Sequence, residues 1–204
     1  MAYCINSAAS SAALTRDIRE LIPAPEVRRR MGRVLRMGVA TGMEALASLP
    51  PEAQKVSAII TATRLGCLAD SEKFLRAVVD DDGGLINPTP FIQSTFNTVG
   101  AQIAQLTRNH CYNMTYVDGE RSFGAALVDA AIQIDQAGAG DVLVGLFDET
   151  TPTLERVTSR MRSVRDLPRR DGAWFFVISS RPLPGCIAEI ETLNEQSFNR
   201  WFGR

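Results

Sequence analysis

The sequence predicts an α/β fold, with a mixed, mostly parallel five-stranded sheet and helices on both faces. Two kinds of segment support this: short apolar runs rich in β-branched residues, and longer segments with apolar residues three and four positions apart. The two kinds alternate along the chain, which is typical of a layered fold with parallel strands. The length of 204 residues predicts one domain, residues 1–204, that is large enough to bury a core.

The predicted strands are short and bounded by turn residues. They are Val56–Ala62, Tyr112–Val117, Val142–Phe147, Ala173–Ser179 and Cys186–Thr192. Tyr3–Ala8 mixes apolar and small residues and gives a weaker signal of the same kind. The last two strands are joined through Pro182, Pro184 and Gly185, a connection too short for a parallel crossover, so we expect them to be antiparallel.

Four segments have helical periodicity. They are Arg28–Leu49, Glu72–Val79 with Asp70 or Ser71 as its cap, Phe91–Arg108 and Ser122–Ala137. Pro50 and Pro51 end the first of them. The last is apolar over much of its circumference, which predicts burial on more than one side and therefore a partner surface.

Composition excludes several classes of protein. A net charge of −1 gives no global attraction to nucleic acid or to a membrane surface. No apolar run is long enough for a spanning helix, and residues 1–11 lack the pattern of a signal peptide. The four cysteines are dispersed and form no C-x-x-C pair, which argues against a zinc site or a disulfide scaffold. We expect a cytoplasmic protein without a metal, a nucleic-acid partner or a membrane span.

Five segments resemble, in order, the N-terminal half of the β-ketoacyl synthases. They are Arg28–Leu46, Phe91–Ala104, Asn113–Ala131, Asp141–Glu149 and Arg169–Ser179. The resemblance implies a thiolase-like half fold. Two shorter stretches, 65–75 and 91–98, are similar to the short synthase-like subunits of aryl polyene and flexirubin-type pigment pathways.

The chain departs from that family at the catalytic position. The synthases hold the acyl chain on a cysteine thiolate and use two histidines for decarboxylation. The aligned cysteine position holds Glu120, or Arg121 if the alignment shifts by one residue, and neither side chain forms a thioester. The single histidine, His110, is expected on the surface or in a structural role. The resemblance therefore implies a subunit that is not catalytic by itself.

Several other residues could have a chemical role, and each has two possible interpretations. Cys67 precedes a predicted helix N-terminus, which lowers a thiol pKa, so it is a candidate nucleophile; the alternative is a buried core residue. Cys4, Cys111 and Cys186 are expected in the core. Asp148 and Glu149 follow a strand, where α/β folds often bind ligands, or they form a capped turn.

The resemblance implies a chain-length factor that partners a full-length β-ketoacyl synthase. The candidates for gating the acyl tunnel are Phe91, Gln93, Thr95, Phe96 and Asn97, and ordinary core packing is the alternative for the aromatics. No cofactor is expected, since the acyl chains arrive on the phosphopantetheine of an acyl carrier protein.

Six arginines between positions 156 and 170 form either a docking patch for an acidic carrier protein or a solvated loop. The docking candidates are Arg156, Arg160, Arg162 and Arg165. Two further functions stay open: a homodimeric protein that binds acyl chains or the carrier protein, and an acyltransferase that depends on Cys67.

Overall fold

The computed structural model describes residues 2–80, 85–161 and 171–202. Its strands are β1 (Tyr3–Ser10), β2 (Ala58–Ala62), β3 (Tyr112–Tyr116), β4 (Asp141–Asp148), β5 (Gly172–Ser179) and β6 (Ala188–Ile190). Its helices are α1 (Ile18–Leu21), α2 (Pro25–Arg30), α3 (Arg33–Ala47), α4 (Leu68–Val79), α5 (Thr89–Ser94), α6 (Thr98–Thr107), α7 (Ser122–Asp135), α8 (Pro152–Arg160) and α9 (Glu195–Phe198). The sequence did not predict α1, α8 or α9.

The six strands form one mixed sheet in the order β3-β2-β4-β5-β1-β6. Strand β2 is parallel to β3 and β4, whereas β5 is antiparallel to β4 and β1, and β6 is antiparallel to β1. Strands β1 to β4 therefore run in one direction, and β5 and β6 run in the other. The predicted α/β class with a mixed sheet is confirmed. The sheet has six strands instead of five because the run near the N-terminus forms a full strand.

The last two strands are not a hairpin. Strands β5 and β6 lie on opposite sides of β1, so the prediction that they are antiparallel to each other was wrong. Asn6, in a register shift of β1, explains the crossing. Its Nδ2 donates to Ser179 Oγ at 2.8 Å, and its Oδ1 accepts from Leu183 N at 2.9 Å. These bonds hold residues 180–187 across the start of β1.

A hydrophobic core lies on each face of the sheet, so the prediction of helices on both faces is confirmed. Helices α3 and α6 cover one face, where Val39 and Ile103 pack near Phe175. Helix α7 covers the other face, where Phe123 packs near Phe176. The strand β4 between these cores is buried along its whole length.

Two predicted helices are interrupted, so their continuous form was wrong. The segment 28–49 breaks into α2 and α3 at Gly32, where a side chain would collide with the carboxylate of Asp70. The segment 91–108 breaks into α5 and α6 at Thr95, which has an extended backbone with ψ 140°. Thr98 Oγ1 donates to the Thr95 carbonyl at 2.7 Å, a local bond that competes with helix continuation. Helix α4 also begins earlier than predicted, at Leu68.

Candidate functional site

The turn between β3 and α7 is the position that the resemblance assigns to a nucleophile. Gly119 has φ +56°, the left-handed conformation that glycine adopts without steric cost. The Asp118 N–H donates to Ser122 Oγ at 2.7 Å, and that hydroxyl donates to the Gly119 carbonyl at 2.8 Å. These bonds fix the turn that carries Glu120 and Arg121.

Glu120 forms an ion pair with an arginine from the loop that follows β2. Arg64, which follows β2, lies with its guanidinium 2.7 Å from Glu120 Oε1, and its side chain is only 15% exposed. Arg121 points to solvent, where it pairs with Asp118 at 3.0 Å. The turn thus presents an ion-paired carboxylate, which cannot carry an acyl thioester.

Asp148 and Glu149 tie the end of β4 to the segment after β2. Asp148 is 1% exposed, and its Oδ1 accepts hydrogen bonds from Thr63 Oγ1, Arg64 N and Leu65 N at 3.0, 2.9 and 3.0 Å. Glu149 Oε1 accepts from Ala69 N at 2.8 Å in the first turn of α4. These contacts favour the capped-turn interpretation of Asp148 and Glu149, since their carboxylate oxygens accept hydrogen bonds from backbone N–H groups.

Cys67 lies at the N-cap of α4 but is completely buried. Burial, together with the nearby carboxylates of Asp70 and Glu149, raises the pKa of its thiol to about 12. A thiol with this pKa stays protonated at neutral pH, whereas a nucleophile must form the thiolate. The structure therefore favours the core alternative for Cys67.

The remaining cysteines and the histidine lie elsewhere. Cys4 is buried, whereas Cys111 and Cys186 are only half-buried. His110 is exposed and lines a surface cavity of about 580 Å³ with Arg108 and Asn113. Within the described ranges, no group of three histidine, cysteine or acidic residues could hold a metal ion.

The gating candidates lie on an exposed segment, α5 and the break after it. Phe91 is 54% exposed with its ring 5.1 Å from that of Phe74, and Phe96 is 46% exposed and lies against Gly66. The Gln93 side chain donates to the Arg30 carbonyl, Thr95 bonds to Thr98, and Asn97 is exposed before α6. Exposure of this extent does not fit ordinary core packing for the two phenylalanines.

An uncovered apolar surface lies at the β3 edge of the sheet. Met114 and Val117 of this region are 41% and 42% exposed, and Val128 and Ile132 of α7 are 58% and 44% exposed. Tyr112 links the two elements, since its hydroxyl donates to Asp129 Oδ2 at 3.0 Å. We call these four apolar residues, with Tyr112, the β3–α7 surface.

The opposite side of α7 is covered by the chain itself. The ring of Phe123 lies 5.6 Å from that of Phe198 and 5.3 Å from that of Phe202, both in edge-on contact. The sequence could not show this layer, because its aromatics lie more than 70 residues further along the chain. Helix α7 was predicted to be buried on more than one side; the chain itself covers this side, and the β3–α7 surface is the part that is left for a partner.

Arginines form two exposed basic regions. Arg156 and Arg160 are exposed on α8, while Arg162 and Arg165 lie outside the described residues. A second region surrounds an open groove of about 720 Å³ at α1, α2 and α3. Its arginines are Arg19, Arg28, Arg29 and Arg36. The sequence analysis did not predict this groove, although two of its arginines belong to the Arg-Arg-Arg run at 28–30.

The family assignment follows from the sequence match. The sequence model of the β-ketoacyl synthase N-terminal domain matches residues 7–163, which is most of the chain. The chain belongs to this family. No curated protein matches the sequence significantly.

Solved structures share the fold of this synthase domain. A ketosynthase (ApeO) in complex with its chain length factor (ApeC) from Xenorhabdus doucetiae matches with TM-score 0.69 and 20% identity, covering 89% of this chain and 80% of that one. The ishigamide ketosynthase/chain length factor matches with TM-score 0.69 and 14% identity, covering 88% and 62%.

A third structure is AntDE:AntF, a type II polyketide synthase acyl-carrier protein in complex with its ketosynthase bound to the hexaketide. It matches with TM-score 0.68 and 15% identity, again covering 88% of this chain and 62% of that one. The synthase domain thus spans less than two thirds of the chains matched in the second and third complexes. At these identities the matches establish the fold, and they confirm the predicted thiolase-like architecture.

Buried carboxyls give the synthase domain a defined dependence of stability on pH. Burial raises the pKa of four of them: Asp70, Asp141, Asp148 and Glu149. A raised folded-state pKa means that the folded state binds protons more tightly than the unfolded chain. Stability is then lost as the pH rises through the folded pKa values. We expect the thermal unfolding midpoint to increase when the pH falls from about 7 to about 5.

Asp70→Asn provides the matched variant for this measurement. Asp70 Oδ2 is buried without a hydrogen-bond partner in the described residues, so its charge is poorly compensated. The variant should be more stable than the parent near neutral pH, with a smaller gain on acidification. An unfolding midpoint that falls steadily between about pH 7 and about pH 5 would contradict the assignment of raised pKa values.

Proposed function

We propose that this domain is a non-catalytic subunit that pairs with a full-length β-ketoacyl synthase and acts as its chain length factor. The observation that carries the proposal is the nucleophile turn, where Glu120 is ion-paired with Arg64 at 2.7 Å. The fold surrounds a position that cannot form the acyl thioester, so the domain functions by binding a partner and not by catalysis. The subunit works in the cytoplasm, has no cofactor of its own, and meets acyl chains on carrier-protein phosphopantetheine.

The β3–α7 surface supports a partner at this edge of the sheet. Strand β3 has one free edge, and its five residues carry no charge. The other edge of the sheet is β6, which is three residues long and contains Glu189, with Glu191 just beyond it. Short, charged strands discourage pairing between chains, and longer uncharged edges permit it. The synthase therefore binds along β3 and α7.

The gating role belongs to the exposed segment 91–97. Phe96 lies over Gly66, close in sequence to Arg64 at the carboxyl end of the parallel strands. In the complex, Phe91 and Phe96 project toward the synthase and limit the length of its acyl tunnel. The product class we propose is the polyene acyl chain of the aryl polyene type.

Phe96→Ala tests the gating role in a reconstituted pathway. Removing the ring opens space at the end of the tunnel, so products should become longer while total turnover changes little. Leu75→Ala is the matched control, because Leu75 is 61% exposed on the neighbouring α4. The product length distribution, read by mass spectrometry, should shift for Phe96→Ala alone. An unchanged distribution would remove the gating role of that residue.

A carrier protein is proposed as the second partner, docking on exposed arginines. The two basic regions can be separated by charge reversal, with Arg156→Glu and Arg160→Glu on α8 and Arg29→Glu and Arg36→Glu at the groove. Carrier binding to the assembled complex should weaken for one pair and become less sensitive to salt, because fewer favourable charge pairs remain to be screened. Unchanged binding for both pairs would place docking on the synthase alone.

Co-expression with the full-length synthase tests the function as a whole. We expect a soluble complex of defined mass containing both chains. A second candidate function is that of a homodimeric binding protein, in which two copies of the chain would pair along the same free edge of β3. A stable self-associated species that does not bind the synthase would overturn the main proposal in favour of the homodimer.

A further inference from the structure

The groove between α1, α2 and the first turn of α3 concentrates positive charge on a chain that is almost neutral overall. Residues 16–36 contain seven arginines and three acidic residues, whereas the net charge of the whole chain is −1. The open groove of about 720 Å³ is lined by four of these arginines, which are Arg19, Arg28, Arg29 and Arg36. We call it the arginine groove. A concave surface lined by charges of one sign attracts small ions of the opposite sign.

The four groove arginines form no ion pair with a carboxylate in the part of the chain that the structure describes. Arginines elsewhere do form such pairs, since Arg16 lies 2.8 Å from Glu44 and Arg64 lies 2.7 Å from Glu120. Apart from Arg28, the groove arginines are exposed, and their side chains make no hydrogen bond within the same described residues. Their charge is therefore left for an anion from solution.

The walls of the arginine groove are held in place by contacts that leave most of its guanidinium groups unused. Asp17, which also lines the groove, caps α1, and its Oδ1 accepts a hydrogen bond from Arg19 N at 2.7 Å. Arg16 joins this segment to α3 through its ion pair with Glu44. Arg28 Nη1 donates to two backbone carbonyls in the connection between α1 and α2. The groove is thus formed in advance, which lowers the cost of binding a ligand.

We propose that the arginine groove binds a ligand with a chain of two or more phosphate groups, such as inorganic polyphosphate or a nucleoside triphosphate. A guanidinium group binds phosphate through two parallel hydrogen bonds and keeps its charge at physiological pH. Several guanidinium groups around one groove favour several linked phosphates, because each phosphate can bind its own arginine. The apolar lining consists of Ile18 and Pro25, which is little for a protein interface with its usual apolar centre.

Calorimetric titration of the full chain at low salt tests the proposal, with tripolyphosphate as the probe. We expect binding that weakens as salt is added, since screening reduces the attraction. Orthophosphate should bind about tenfold more weakly or worse, because it engages fewer guanidinium groups. Tripolyphosphate should also raise the thermal unfolding midpoint, because a ligand that binds the folded state stabilises it.

ATP in the same titration distinguishes the two sources of a phosphate chain. Tighter binding of ATP than of tripolyphosphate would identify a nucleotide as the ligand, and weaker binding would identify inorganic polyphosphate. Both results support the phosphate site. The absence of measurable binding by either probe at low salt would overturn it. That result would leave the proposed function untouched, since the titration contains neither the synthase nor the carrier protein.

Arg29→Gln/Arg36→Gln should reduce the affinity for tripolyphosphate about tenfold or more. The matched control is Arg156→Gln/Arg160→Gln on α8, which removes the same charge from two arginines that are also exposed. Its affinity should equal that of the parent protein. An equal loss of affinity in both variants would mean a general attraction to positive charge and would overturn the proposal. Arg28 is left unchanged because it holds backbone carbonyls, and circular dichroism checks that both variants are folded.

Discussion

The double variant Val128→Glu/Ile132→Lys should strongly weaken the complex with the synthase while leaving the fold intact. Both residues are exposed on α7, one helical turn apart, at 58% and 44%. A Glu–Lys pair at this spacing supports an isolated helix by about 0.2–0.5 kcal/mol, so the free protein tolerates it. In the complex the same pair would be buried, and the desolvation of its charges would not be recovered.

We expect affinity for the synthase to fall about 100-fold or more, corresponding to roughly 3 kcal/mol of binding free energy. The control is Val157→Glu/Met161→Lys, which introduces the same two charges at the same spacing in and just after α8, where each residue is 47% exposed. Its affinity should match that of the parent protein. Equal affinities for both variants, measured by calorimetry or mass photometry, would mean that the synthase binds elsewhere.

The sequence predicted the layers of the fold because those depend on local pattern. β2 and β4 are buried along their whole length, and both appeared as short apolar runs rich in β-branched residues. The two helix breaks were missed because one involves a distant residue and the other a local side-chain hydrogen bond that competes with continuation of the helix. Gly32 leaves room for the carboxylate of Asp70, which lies 38 residues further along the chain in α4. The position of β6 depends on Asn6, whose role appears only when the crossing loop binds to it.

The candidate site was predicted in part, for a related reason. Alignment placed a carboxylate at the nucleophile turn, and the structure keeps Glu120 there. The alignment could not predict the contact with Arg64, which lies 56 residues earlier. Arg64 and Glu120 meet only because the parallel strands β2 and β3 are side by side. Cys67 shows the opposite case. Its place before a helix indicated a low thiol pKa, but the core around it raises that pKa to about 12.

Gly145→Val should cause the largest loss of stability of any single change considered. Gly145 lies in the central strand β4 opposite Phe175 of β5, and a Cβ atom there would overlap the phenylalanine ring. Phe175 is fully buried, and α3 lies close to the same ring, since a Cβ atom added at Gly42 would lie 3.3 Å from its Cδ1. Overpacking of this kind costs about 3 kcal/mol or more, a large part of a typical stability of roughly 5–15 kcal/mol.

Urea unfolding followed by circular dichroism measures this loss, and Gly140→Ala is the control. A Cβ at Gly140 would meet only Ser57 Oγ at 3.5 Å, an ordinary contact, so its midpoint should stay near that of the parent. Adding Phe175→Leu to Gly145→Val should recover part of the lost stability, because the smaller side chain makes room for the new methyl groups. If the second substitution made the protein less stable still, the two residues would not be in steric conflict, and the packing between β4 and β5 would have to be explained in another way.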